Sequence, residues 1–146
     1  MALFKCGNDK AYTESFGSKY NTDRGYSGNH EDWWVKQFDG YYTLQKKGKV
    51  KSVNFGSENI TIAGSGQGQK VFSPNSFNNY PCKLYGSNDN SYWTLIQSGI
   101  IMGTTTTITA SSKYKYLKVS ATGPNYSSPG IYWACAIPTF TVNYRG

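Results

Sequence analysis

The only histidine of this sequence, His30, opens the triplet His30-Glu31-Asp32, the first place where side-chain chemistry could gather. The triplet offers a metal ligand or two, but no second histidine exists to complete a transition-metal site. Glu31 and Asp32 are adjacent, so on an extended strand they point to opposite faces and cannot form the carboxylate pair of a glycosidase. A solvated turn is the simpler meaning of the triplet. Gly64-x-Gly66-x-Gly68 lacks the lysine and the following helix of a phosphate-binding loop and reads as a connector. Cys6, Cys82 and Cys135 are widely spaced with no CxxC pair, which is neither a zinc framework nor a disulfide-dense scaffold. Two readings stay open for them: one bridge with a free thiol, Cys6–Cys135 joining the chain ends, or three buried thiols acting as small hydrophobes. No nucleophile–base motif surrounds any of them. Neither catalysis nor a metal centre is expected.

What remains is a supply of rings and amides: 13 Tyr, 7 Phe and 4 Trp in 146 residues, with many Asn among them. Sugar recognition needs a flat aromatic face against the C–H side of a pyranose, and amide or imidazole groups for the hydroxyls. Tyr, Trp, Asn and His supply both. Three segments put such a set in a predicted loop: His30 and Glu31 after Asn29, then Asn78, Asn79 and Tyr80, then Asn125 and Tyr126. The same residue types also make turns and cap the ends of sheets.

The elements that must hold these loops are strands. Ala, Leu and Glu, the strong helix formers, number only seven, five and three, while aromatic and β-branched residues are plentiful. Short β-rich runs are predicted at 33–38, 41–45, 50–55, 59–63, 69–72, 82–85, 92–97, 104–110, 114–120 and 131–144, the last broken by Pro138. Gly, Asn, Ser and Pro lie between them, a spacing that predicts an all-β sandwich or barrel. Residues 10–20 leave room for one short helical turn. In 114–119, alternation puts Tyr114, Tyr116 and Lys118 on a wet face and Leu117 and Val119 on the other. The chain is long enough for one domain spanning 1–146 that buries roughly two thirds of its unfolded surface. Within it, 1–25 is expected to form an N-terminal arm and 138–146 an extra C-terminal strand or tail. The longest apolar stretches, such as 99–102, fall far short of the roughly 20 residues of a membrane-spanning helix. A soluble chain is expected, with any export signal outside it and no membrane partner.

Charge is unevenly placed. Of the formal net charge of +7, residues 1–39 carry −1 and residues 40–146 carry +8. The densest point, Lys46, Lys47, Lys49 and Lys51, could steer anionic partners such as nucleic acid, lipid head groups or acidic polysaccharide. A solvated strand or hairpin with lysine on its edge is the preferred reading. Nucleic acid is disfavoured because arginine forks are scarce, with only Arg24 and Arg145 present.

The segment Lys83-Leu84-Tyr85-Gly86-Ser87-Asn88-Asp89, followed by Trp93 and Leu95, resembles the K-L-Y-G-S-N-D-x-x-x-W-x-x-L stretch of galactose-binding-like domains. These are the discoidin and coagulation-factor type C group and its bacterial carbohydrate-binding relatives. Residues 115–119, Lys-Tyr-Leu-Lys-Val, resemble that family's R-Y-L-R-V/I strand, and 33–38 loosely match an earlier one. The resemblance implies a jelly-roll β-sandwich of about eight strands, non-catalytic, lectin-like, binding glycans or cell-surface receptors through loops at one end. Carried onto this sequence, the ligand loops hold His30 and Glu31, Asn78 to Tyr80, and Asn125 and Tyr126. The turn at 88–90 returns the chain with Trp93 and Leu95 on one face, so Trp93 is expected in the core. Relatives often hold a structural calcium partly through a Glu in the last strand. Here 132–136 reads Tyr-Trp-Ala-Cys-Ala without a carboxylate, which puts calcium in doubt. The opening residues 3–7 faintly resemble repeats of phage tail proteins.

The expected function is a carbohydrate-binding or receptor-recognition module of a secreted, cell-surface or virion-tail protein. The alternatives are a structural virion or fibre domain that binds only protein as a homo-oligomer, and, third, single-stranded nucleic-acid binding.

Overall fold

Tyr42 and Phe55 belong to one strand, and both ring systems touch Phe140. The thirteen residue steps from one to the other would reach about 43 Å if extended, yet the Tyr42 and Phe140 ring centroids are 4.7 Å apart and those of Phe55 and Phe140 are 5.1 Å apart. The strand therefore doubles back over itself, and that reversal defines the architecture. It is seen in a computed structural model that describes residues 10–20, 37–63, 69–73, 80–123, 125–126, 132–133 and 135–146.

Among these residues there is no helix, and every strand pair is antiparallel. The strands are β1 (Ala11–Phe16), β2 (Lys19–Tyr20), β3 (Gln37–Phe55), β4 (Ile60–Ala63), β5 (Gln69–Phe72), β6 (Cys82–Ser87) and β7 (Thr94–Ile100). They continue as β8 (Thr105–Thr107), β9 (Tyr114–Thr122), β10 (Asn125–Tyr126), β11 (Tyr132–Trp133), β12 (Ala136–Ile137) and β13 (Phe140–Arg145). The main sheet runs β1-β13-β3-β9-β6-β7, with β8 also on β3.

The first half of β3 pairs with β9, and the second half pairs with β13 and β8; the register breaks between Thr43 and Gly48. Bulges bend strands and increase their twist, and here the bend folds the sheet into two packed layers. One layer holds β1, β13, the second half of β3 and β8; the other holds the first half of β3, β9, β6 and β7. Between them lie Val50, Val53, Phe55, Phe140, Val142 and Tyr144 on one side, and Tyr42, Leu44, Leu84, Leu117 and Val119 on the other, all buried. The rings of Phe16 and Tyr42 meet edge-on at 5.1 Å, which pins β1 under the first half of β3. Such ring pairs add about 0.5–1.5 kcal/mol each beyond the area they bury.

A polar clamp sits at the bend itself. The Tyr144 hydroxyl donates to Glu14 Oε2 and accepts from the Lys46 N–H at 3.3 Å, while the Gln45 N–H donates to the same carboxylate at 2.9 Å. The ladder hydrogen bonds that the bulge leaves unmade are thus partly replaced. Burial, followed by the Glu14 carboxylate, holds the Tyr144 phenol above its ordinary range.

Two expectations are corrected. Residues 11–16 are a strand rather than a helical turn, because Tyr12, Glu14 and Phe16 alternate inward with exposed Ala11, Thr13 and Ser15. The runs at 41–45 and 50–55 are one strand of 19 residues, so of the strand or hairpin expected for the lysines it is the strand that forms, and it lies inside the sheet rather than at its edge. Of the cysteines, Cys82 and Cys135 are buried thiols, and burial pushes Cys82 up to about 12. Residues 140–145 form β13, flanked by β1 and β3.

Phe140 is fully buried where both layers meet. Its replacement by alanine is expected to lower the unfolding free energy by about 3–5 kcal/mol, read from urea denaturation. A loss below about 1 kcal/mol would contradict the two-layer packing.

Candidate functional site

The Leu84-Tyr85-Gly86-Ser87-Asn88-Asp89 segment makes its own turn, and each residue has a separate task. Ser87, only 2% exposed, accepts the N–H groups of Asp89 and Asn90 at 3.2 and 2.9 Å and donates its hydroxyl to Asp89 Oδ1 at 3.0 Å. Asp89 Oδ1 accepts the N–H groups of Ser91 and Tyr92, both at 2.9 Å. Asn90 takes the left-handed conformation, φ 60°, that Asn tolerates. The Asn88 side chain ties the turn to β9 by accepting from the Lys115 N–H at 3.0 Å and donating to the Lys113 carbonyl at 3.1 Å. At Gly86 a Cβ would lie 2.5 Å from the Tyr114 ring, so the close approach of that ring requires glycine. A shallow cleft of about 260 Å³ lined by residues 86–89, Tyr92, Thr94 and Tyr114 opens beside the turn.

This turn fixes the register of everything after it. Tyr85 pairs with Leu95 on β7 and with Lys118 on β9, and Lys118 pairs with Tyr41 on β3. Tyr41, Lys118, Tyr85 and Leu95 therefore form one row across four strands on the face turned away from the core, whose side chains Tyr42, Leu117, Val119 and Leu84 point the other way. Trp93 joins this row. Its ring centroid is 5.8 Å from that of Tyr41, and Lys118 Nζ lies 5.2 Å from the Trp93 centroid and 4.6 Å from that of Tyr85. Tyr41 is 52% and Leu95 50% exposed, so the patch is open to solvent. From the edge, Lys19 Nζ donates to the Tyr41 carbonyl at 2.8 Å and lies 4.5 Å from the Tyr42 ring centre.

The arrangement offers a sugar two kinds of contact: ring surface for its C–H face, and an ammonium held by cation–π attraction for its hydroxyls or an acidic substituent. Among the described residues no group of three or more His, Cys, Asp or Glu could hold a metal ion, and residues 132–136 bring no carboxylate for calcium.

The reading of Trp93 as core is corrected. Trp93 and Leu95 do share a face, but pairing Leu95 with Tyr85 places that face outward, while Ile96 packs against the core and Ile100 is buried within it. Tyr41, Tyr85, Trp93 and Lys118 were missed as site residues. The available signal was the wet face predicted through Tyr116 and Lys118, which the structure keeps half-exposed.

Of the loop residues proposed from sequence, His30, Glu31, Asn78 and Asn79 lie outside the described residues. Tyr80 is a half-buried bend residue before Pro81. Asn125 and Tyr126 form the short strand β10, paired with Trp133 and Tyr132, where a loop was predicted.

No family model matches the sequence, and no curated protein does either. Among solved structures, the chain is similar to the CBM32 of AlyQ in complex with 4,5-unsaturated mannuronic acid, at 11% identity and a TM-score of 0.42, covering 90% of this chain and 92% of that one. It is also similar to CpGH89CBM32-5 of Clostridium perfringens in complex with GalNAc-β-1,3-galactose, at 12% identity and a TM-score of 0.36, covering 90% and 94%.

The Tyr92 and Ser91 N–H groups, with the Ser87 hydroxyl, hold the Asp89 carboxyl below the ordinary carboxylate range. A lowered pKa stabilises the fold above the unfolded value of about 3.9 and is lost as pH falls through the folded value. The difference in Tm between the wild type and Asp89→Asn is therefore expected to shrink from pH 6 to pH 2.5 in a calorimetric series. A constant difference would refute this role for the charge.

Proposed function

We propose that the chain is a non-catalytic carbohydrate-binding module that recognises cell-surface glycans. One observation carries this reading: the solvent-facing row of Tyr41, Lys118 and Tyr85, with Trp93 against Tyr41 and Lys118. Tyr41 and Leu95 are exposed and Tyr85 and Trp93 half-buried, and a contiguous apolar patch open to solvent marks an interaction site. Here Tyr41 and Tyr85 are set by strand register and Trp93 by its contacts with Tyr41 and Lys118 just before β7, so little rotamer freedom is lost when a ligand stacks on them. The resemblance of residues 83–95 and 115–119 to galactose-binding-like domains supports the same ligand class.

His30, Glu31, Asn78, Asn79, Tyr80, Asn125 and Tyr126 are proposed as a second set of contacts, with amide and imidazole groups for sugar hydroxyls. The module acts outside the cell, on a secreted or cell-surface protein or on a virion tail. Single sites of this shallow kind bind at about millimolar to micromolar affinity, and repeated copies raise it by avidity.

A glycan array followed by calorimetry on the best ligand tests the proposal. Trp93→Ala and Tyr41→Ala are each expected to weaken binding by about tenfold, the equivalent of about 1.4 kcal/mol. Unchanged affinity in both variants removes the row from the site, and an array without any binder removes the function.

A further inference from the structure

Lys49 and Lys51 are separated on β3 by Val50, which is fully buried. Alternation therefore turns both ammonium groups outward. Arg145 stands opposite Lys49 in the β13 register. Lys113 arrives from the segment that leads into β9, beside the pairing of Tyr114 with Gly48. Together these four cations line a cleft of about 340 Å³, and among the described residues its lining holds no acid.

The backbone beneath the cleft is fixed from several directions. The Lys51 carbonyl accepts the Ile108 N–H at 2.8 Å, and the Lys113 carbonyl accepts Asn88 Nδ2 at 3.1 Å. Only two acids occur in residues 40–146, Glu58 and Asp89, and both are engaged elsewhere. Glu58 Oε2 accepts the Thr139 N–H at 2.7 Å and its hydroxyl at 2.5 Å, while Asp89 closes its own turn. Arg145 takes part in an interaction of its own, so the charge the cleft offers a ligand is that of Lys49, Lys51 and Lys113, and the field such gathered like charges create attracts anions.

We infer that this cleft is a subsite for the carboxylate or sulfate groups of an anionic polysaccharide. The inference rests on the carbohydrate-binding reading for the identity of the polymer, and on the cleft alone for its charge. Among the described residues the lining contains no aromatic ring. Single-stranded nucleic acid is held by base stacking together with charge, so a lining of this kind favours a polyanion without bases. Three of the four cations are lysines, compact point charges that accept carboxylates and sulfates in many orientations rather than one planar fork. That tolerance suits a polymer whose acidic groups repeat along a flexible backbone.

Affinity electrophoresis of the full chain separates the outcomes, with polygalacturonate, its neutral methyl ester, dextran sulfate, neutral dextran and a 20-nucleotide oligothymidylate as probes. The wild type is expected to be retarded by polygalacturonate or dextran sulfate, which distinguishes carboxylate from sulfate, and not by the neutral counterparts. The triple variant Lys49→Gln, Lys51→Gln, Lys113→Gln is expected to bind the preferred polyanion about tenfold or more weakly, with a loss that shrinks at high salt. The triple arginine variant is expected to retain binding, and an unchanged Tm in the glutamine variant shows that the fold is intact. Undiminished polyanion binding by the glutamine variant overturns the proposal, as does binding of neither polyanion, or tighter binding of the oligonucleotide at equal salt. Trp93→Ala separates the two sites: it is expected to bind the array ligand about tenfold more weakly while the polyanion response of the lysines persists.

Discussion

The layered structure depends on the contact of Tyr42 and Phe55, from one strand, with Phe140 from another. Without the reversal of β3 those rings could not meet, and the sheet would expose the whole apolar face it now folds inward. The clamp of Tyr144, Glu14 and the main chain at 45 and 46 resolves the difficulty that the reversal creates, since a bend through a sheet strands polar backbone groups that must find other partners. Packing and polar satisfaction thus act at the same point, one pulling the layers together and the other making the corner tolerable.

The same reversal decides what faces water. Once Tyr42 and Leu44 are turned into the core, period-two alternation sends Tyr41 and Thr43 outward, and the ladders carry that choice across to Lys118 and Tyr85. In the second half of β3 it sends Lys49 and Lys51 outward around the buried Val50. The aromatic row and the cationic cleft are both outward consequences of inward packing along a single strand.

Much of this was legible in the sequence. Composition excluded helices, alternation at 114–119 separated Leu117 and Val119 from Tyr116 and Lys118, and the Gly-Ser-Asn-Asp stretch announced a turn. The rest turned on long-range register. Trp93 is a large apolar ring beside a β-rich run, and nothing local says which face of the sheet it joins; a slip of one residue would have made it core. The continuity of 41–55 was hidden because Lys46, Lys47 and Gly48 look like a hairpin tip unless Tyr144, nearly a hundred residues away, is known to cover them. His30 and Asn79 were chosen by residue chemistry alone, and they lie outside the described residues.

The position of β13 between β1 and β3 also bears on how the chain reaches this state. Side chains of neighbouring strands in that layer are joined across 91 and 130 residues of sequence. No local hairpin can nucleate the layer, because its middle strand is supplied by a distant part of the chain. The entropy of closing those long loops must be met before any contact repays it, which places the chain among slow, high-contact-order folders with rates of about milliseconds to seconds. Until that strand docks, the inner faces of β1 and β3 remain open, and the window for aggregation is set by topology rather than by the stability of the finished fold.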